Sequence, residues 1–254
     1  MRRLLILKLL LLCVSVTGCS TAIDADNMAL FQAAEQSFVA AKSEDEFLAV
    51  AGQYQQILDS GFRSGAVLYN QGNAFLKAGQ PGRAIAAYRQ AKRFRPGDPL
   101  LDSNLRTALS QTGVEDRPSI VDRLLFWQGW ISYGSKFMWS TIFLGAAVLC
   151  FVLSQLMAKR LMLKVGIAFA LITTLSIIST GYDWYRFDVL RHGVIVADSV
   201  VARKGAAESY DAAFTEPLPE GTSFVVTQVV SDWVYIQIGS AGQGWVPQNS
   251  VVLY

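Results

Sequence analysis

The sequence predicts a multidomain membrane protein in three parts: an α-helical domain, a two-helix transmembrane hairpin and an all-β domain of barrel size. Three observations carry this. Two apolar segments of spanning length lie back to back just past the middle of the chain, and the residues before them show helical periodicity with almost no strand signal. After Arg191 the pattern changes to short β-rich runs separated by turn residues. Composition agrees, because 52% hydrophobic with 17% charged residues is too apolar for an ordinary soluble protein and too mixed for a polytopic transporter.

The hairpin occupies residues 136–182. Phe137 to Met157 has no ionisable side chain except Cys150, and roughly 20 such residues at about 1.5 Å rise cross a bilayer core. Leu161 to Tyr182 repeats the pattern, and its one charge, Lys164, lies near enough to the end to snorkel into the headgroups. Only Ala158, Lys159 and Arg160 separate the two segments, so the helices are antiparallel neighbours and both flanks face one compartment. Polar Ser140, Thr141, Ser154, Thr173, Thr174 and Ser176 are candidates for packing the two helices or for meeting a partner's spans.

A net charge of +2 gives no extended field of one sign and argues against nucleic acid as a partner. Of the cysteines, Cys13 and Cys19 fall in the leader and Cys150 in a span, so neither a disulfide framework nor a metal quartet is expected. His192 is the only histidine, and no paired nucleophile and base, no paired carboxylates in a plausible pocket and no phosphate loop are found. The sequence therefore predicts no cofactor and no enzymatic activity.

Residues 1–18 read as a signal peptide, with Arg2, Arg3 and Lys8 ahead of an apolar run too short to span. Val16-Thr17-Gly18-Cys19 resembles the bacterial lipobox, which implies a lipidated Cys19; the alternative is an ordinary signal, cleaved near Ala22 or left uncut. Export of the N-terminal flank would put the hairpin turn in the cytoplasm and both soluble parts in the periplasm, on the bacterial inner membrane. Charge alone does not fix this orientation: Lys159, Arg160 and Lys164 crowd the turn, but Arg123, Lys136, Arg186 and Arg191 lie near the outer ends.

Residues 19–115 read as paired helices with breaks at Ser43, Gly61 and Pro81. The clearest unit starts at Gly65, where Leu68, Gly72, Phe75, Ala84, Tyr88, Ala91 and Pro96 fall at the large, small, large, small, large, small and terminating positions of a tetratricopeptide repeat. Small Gly72 and Ala84 let two helices approach, Phe75 and Tyr88 fill the space beside them, and Pro96 ends the second helix. Asn104 and Ala108 repeat Asn70 and Ala74 about 34 residues later and suggest a capping helix; an earlier degenerate pair has Phe38 where Gly72 stands later. The resemblance implies a concave groove that binds an extended peptide or a helix through Tyr69, Asn73 and Lys77, unless these residues are merely solvated and the repeat only spaces domains. Arg89, Lys92, Arg93 and Arg95 read as a solvated basic face and favourable helix C-terminal charge.

Residues 116–135 read as an interfacial helix, with Trp127, Trp130 and Tyr133 on one side and Tyr182, Trp184 and Tyr185 as the matching belt after the second span. In residues 190–254 the alternation of Trp233, Tyr235 and Gln237 with Val234, Ile236 and Ile238 gives one face to a core. Val201-Ala202-Arg203-Lys204-Gly205, Leu218-Pro219-Glu220-Gly221-Thr222, Asp232-Trp233-Val234 and Gly242-Gln243-Gly244-Trp245-Val246 together resemble a bacterial SH3-like domain, with departures at Val201 and Ala206. The resemblance implies a recognition surface around Arg203, Trp233, Tyr235 and Trp245, although the tryptophans would equally serve as barrel core.

The order of signal, tetratricopeptide repeats, two-span hairpin and SH3-like domain looks like the BatE-type proteins of bacterial aerotolerance operons. That likeness implies a non-enzymatic, membrane-anchored scaffold working beside von Willebrand A-domain membrane proteins and a MoxR-type AAA ATPase. The alternative function is a wall-binding or wall-sensing protein whose SH3-like domain recognises peptidoglycan.

Overall fold

The computed structural model describes residues 25–115, 123, 125–157 and 160–254; the leader with Cys19 and most of the hairpin turn fall outside them. Two compact units result, one formed by Tyr133–Trp184 and the other by Ala25–Ser132 together with Tyr185–Tyr254.

The second unit begins with five helices: α1 (Ala25–Ala40), α2 (Glu44–Asp59), α3 (Gly65–Lys77), α4 (Pro81–Ala91) and α5 (Pro99–Thr112). Their limits follow from local chemistry. Ser43 and Glu46 form a reciprocal capping box at the start of α2, and Ser64 accepts from the Val67 N–H at the start of α3. Pro81 opens α4, Asp98 accepts from the Leu100 and Leu101 N–H groups ahead of α5, and Gly113 ends α5 in the left-handed region at φ 70°. At the α3–α4 crossing Gly72 lies so close to Tyr88 that an added Cβ would stand 2.5 Å from the ring, so the expected small-against-large contact is present. Ala84, Ile85, Tyr88 and Leu101 are fully buried around it, and a second core of Ala34, Val50, Tyr54, Ile57 and Val67 joins α1, α2 and α3.

The same unit contains an antiparallel five-stranded sheet of order β6-β5-β4-β1-β7, built from β1 (Arg191–Ile195), β4 (Ser223–Val230), β5 (Trp233–Ile238), β6 (Gly242–Pro247) and β7 (Val251–Leu253). A two-stranded ribbon pairs β2 (Ser199–Val200) with β3 (Leu218–Pro219). Ile195, Val234, Ile236 and Val246 are fully buried beneath the sheet, as the alternation in β5 predicts. Residues 201–205, matched in sequence to a loop, follow β2 into a loop that folds onto itself, with the Tyr210 ring 2.7 Å from where a Gly205 Cβ would stand.

Helices and sheet are not separate bodies inside this unit. Val194 of β1 is fully buried among Ile85, Leu105 and Leu109, and Val252 and Tyr254 pack on the same cluster. Glu220 accepts a 2.7 Å hydrogen bond from the Gly82 N–H in the first turn of α4. Gly221, at φ 85°, sits where a Cβ would meet Thr112 and Ile85. In β1, Gly193, Val194 and Ile195 are all buried, so one strand serves two cores: Val194 the helical one, Ile195 that of the sheet.

The first unit holds α6 (Tyr133–Met157) and α7 (Arg160–Trp184), each long and apolar enough to cross a membrane. They pack where Gly166 approaches Cys150 and the Ala147 carbonyl. Lys136 and Asp183 form a buried ion pair at 2.5 Å. Ser140, Ser154 and Thr173 are buried and satisfy their hydroxyls on backbone carbonyls of their own helices, while Thr141 and Thr174 are exposed. Ahead of α6, the segment expected as an interfacial helix holds a 3₁₀ turn at Phe126–Trp130.

Candidate functional site

A cleft with a cavity of about 310 Å³ opens among the first three helices, lined by Glu35, Phe38 and Val39 of α1, Tyr54 of α2, and Asn70 and Asn73 of α3. Its walls are fixed from below. Phe38 stands edge-on to Phe47 at 5.3 Å, and Gln71 ties α3 to α2 through the Gln55 side chain (2.8 Å) and the Ala51 carbonyl. Val39 projects into solvent at 85% exposure and forms the apolar rim.

Tyr54 is fully buried, and its hydroxyl has no hydrogen-bond partner of good geometry among the described residues. Burial pushes this phenol up to about 12; the Glu35 carboxylate adds to the effect and the Asn70 amide opposes it. It therefore stays a protonated donor throughout the physiological range. A buried hydroxyl without a partner costs about 1–3 kcal/mol, which a ligand acceptor would recover. Asn70 Nδ2 reaches Glu35 Oε1 at 3.4 Å, so the carboxylate retains most of its accepting capacity. Asn73 Oδ1 accepts from both the Tyr88 hydroxyl and Asn104 Nδ2 at 2.8 Å, which orients its amide N–H2. Burial also raises the Tyr88 phenol, so it too remains a donor. The cleft thus offers one carboxylate, oriented carboxamides and a phenolic donor beside an apolar wall of Phe38 and Val39. That set suits an amide backbone carrying an apolar or cationic side chain.

Of the three groove residues expected from sequence, Asn73 lines this cleft. Tyr69 does not: its hydroxyl accepts from Asn104 at 3.0 Å and the Arg95 guanidinium covers its ring at 5.1 Å. Lys77 is exposed in the last turn of α3, outside the lining. Glu35, Phe38, Val39, Tyr54 and Asn70 were not anticipated; the signal for them was Phe38 itself, a large residue at a position that closes the later helix pair with glycine.

On the sheet, cross-strand pairs Trp233 with Pro247, Tyr235 with Trp245 and Gln237 with Gln243 alternate with the buried Val234, Ile236 and Val246. Trp233, Tyr235 and Trp245 are thus half-buried on the face opposite the sheet core. Tyr235 and Trp245 pack at 4.9 Å, the Tyr235 hydroxyl donates to Gln243, and Gln243 donates to Gln237. Arg203 joins this surface only through its backbone, paired with Trp245 at 2.7 and 2.8 Å; its guanidinium turns to the Tyr210 carbonyl. No group of three or more His, Cys, Asp or Glu placed to hold a metal occurs among the described residues. A scan against models of protein families and searches of curated proteins and of solved structures find no match to this chain.

Proposed function

We propose that this protein is a non-enzymatic scaffold anchored in the bacterial inner membrane by the α6–α7 hairpin, holding its helical and β parts in the periplasm, where the cleft binds an extended segment of a partner protein. The observation that carries this reading is the Tyr54 hydroxyl, buried and unpartnered at a cleft that also holds Glu35 and two oriented carboxamides. The hairpin reading has its own support: the residues before α6 and after α7 pack into one unit, which fits both flanks lying on the same side of a bilayer. The buried Lys136–Asp183 pair also neutralises one cation of the flanks, and in this reading the charges of Arg160 and Lys164 then weigh more toward a cytoplasmic turn. In this reading the helices are tetratricopeptide-like, the β part is SH3-like, Cys19 carries a lipid, and the partners are those of a Bat-type complex, von Willebrand A-domain proteins and a MoxR-type ATPase system among them.

The test places a photo-crosslinking residue at Val39 of the full-length protein in native membranes. Expected is a discrete protein adduct that disappears with Tyr54→Phe combined with Asn70→Ala; an adduct pattern unchanged by that double variant would refute the cleft as the binding site. The aromatic face of Trp233, Tyr235 and Trp245 favours a second reading, wall recognition, since neighbouring rings flanked by amide side chains suit sugars and short peptides. Retention of the full-length protein on purified peptidoglycan, lost with Trp245→Ala, would support that reading instead.

A further inference from the structure

Besides the Tyr54 phenol, the cleft among the first three helices is lined by one ionisable side chain, Glu35, and helical spacing sets it beside the apolar wall. Glu35, Phe38 and Val39 stand at i, i+3 and i+4 on α1, so they share one face, with neighbouring Cβ positions about 5–6 Å apart. Glu35 and Val39 are exposed, Phe38 is half-buried and Tyr54 is fully buried. The Tyr54 hydroxyl is turned toward this lining, since Asn70 and Glu35 are the side chains that act on it.

The two polar groups ask different things of an occupant. The buried hydroxyl needs an acceptor, which any peptide carbonyl supplies. The carboxylate decides the side chain. Its Oε1 takes one long bond from Asn70 at 3.4 Å, and no other side chain among the described residues donates to it. An apolar side chain packed on Phe38 and Val39 would strip water from Glu35 and return no partner, which is costly. A cationic one returns a charge-assisted hydrogen bond, and its methylene stem covers the same apolar wall.

The surrounding walls favour the same choice. Within α1 and α2 every ionisable side chain other than Tyr54 is a carboxylate. Within α3 the one charged residue is Lys77, exposed in the last turn and outside the lining. A basic segment is the electrostatic complement of such walls, which steer its approach.

We propose that the cleft takes a lysine or arginine side chain of its partner segment, with the cation on Glu35, the stem along Phe38 and Val39, and the adjoining backbone carbonyl on the Tyr54 hydroxyl. This rests on reading the cleft as the site for an extended segment of a partner protein, and it narrows that partner to a basic one. Asn73, whose amide N–H2 is oriented by Tyr88 and Asn104, is placed to serve a second acceptor of the same backbone.

The test uses the full-length protein in neutral detergent and three fluorescent nonapeptides of alternating alanine and serine that differ only at the central residue. That residue is lysine, norleucine, which keeps the stem and removes the charge, or glutamate. Fluorescence anisotropy reads each affinity. Wild type in low salt is expected to bind the lysine peptide several-fold more tightly than the norleucine peptide, and the glutamate peptide most weakly; the ratios shrink as salt is raised. Glu35→Gln, which keeps an acceptor for Asn70, should bring the lysine and norleucine affinities together without weakening the norleucine peptide. Tyr54→Phe should weaken both by the same factor, because it removes the backbone contact and leaves charge recognition in place. Equal wild-type affinities for the lysine and norleucine peptides, or a lysine preference that survives Glu35→Gln, overturn the proposal and leave the cleft as a site for neutral segments. A preference lost instead on Glu44→Gln with Asp45→Asn, outside the lining, assigns it to the general acidity of the helices and also overturns the proposal. Binding of none of the three peptides, or binding that Tyr54→Phe leaves at full strength, refutes the cleft reading and the proposal together.

Discussion

Adding a single methyl group at Gly72 should destabilise the second unit, whereas the same change at Gly52 should stabilise it. Both glycines lie inside helices, Gly72 in α3 and Gly52 in α2, so alanine gains the same helix propensity at each, about 1 kcal/mol. Gly52 is exposed and has nothing within 4 Å of the new Cβ, so that gain is realised. At Gly72 the Cβ would stand 2.5 and 2.6 Å from two ring carbons of Tyr88. That ring cannot swing clear: it is fully buried, packs on Tyr69 at 6.1 Å and is held at its hydroxyl by Asn73. Overpacking of this kind costs about 1–3 kcal/mol, and displacing the hydroxyl forfeits about 1 kcal/mol more. The net expectation for Gly72→Ala is a loss of about 1–3 kcal/mol. Urea unfolding of the full-length protein in detergent, followed by circular dichroism, reads both changes as shifts of the midpoint at constant slope. A Gly72→Ala variant as stable as Gly52→Ala would show that the α3–α4 crossing is looser than the close approach requires.

Glu220 offers a test through pH. Burial, aided by Asp198, raises its carboxyl above the usual range despite the Gly82 N–H. The folded state therefore holds this proton more tightly than the unfolded chain, and wild-type stability falls as pH climbs above the ordinary glutamate value. Glu220→Gln keeps an acceptor for Gly82 and should lose that slope, visible in melting temperatures across a pH series. His192 acts in the opposite sense, its lowered folded value making stability fall as pH drops below about 6.5; His192→Gln should flatten the acid limb of the same series. In the first unit, Lys136→Met leaves Asp183 without its ion-pair partner and should cost about 3–5 kcal/mol, while Lys136→Met with Asp183→Leu should restore near wild-type thermal stability in detergent.

What could be read from the sequence was what local spacing determines. Gly72 against Tyr88, the breaks at Ser43 and Pro81, and the alternation of Val234 and Ile236 all depend on residues a few positions apart or on a helix pair of known period. Of the expected groove residues Asn73 reaches the cleft, whereas the Tyr69 hydroxyl is taken by Asn104, a choice made by a bond spanning 35 residues that no local pattern records. The joint between helices and sheet was likewise illegible. Its one hint was the unbroken apolar run in β1, where a strand of a one-sided sheet would alternate; Val194 and Ile195 serve opposite cores.

That joint makes the second unit discontinuous in sequence: its two halves are separated by the 133–184 segment, so the hairpin is an insertion within one folded body rather than a link between two. Ile85, Leu105 and Leu109 are synthesised well before the Val194 that completes their core, and Gly82 well before the Glu220 that satisfies its N–H. Contacts of such long sequence separation form slowly, because loop closure across the insertion precedes any gain from burial. The helical half accordingly waits, with an apolar face uncovered, until both apolar helices have been made. Once assembled, the halves hold each other by that core, so a cut between the two apolar helices would sever the chain without releasing them.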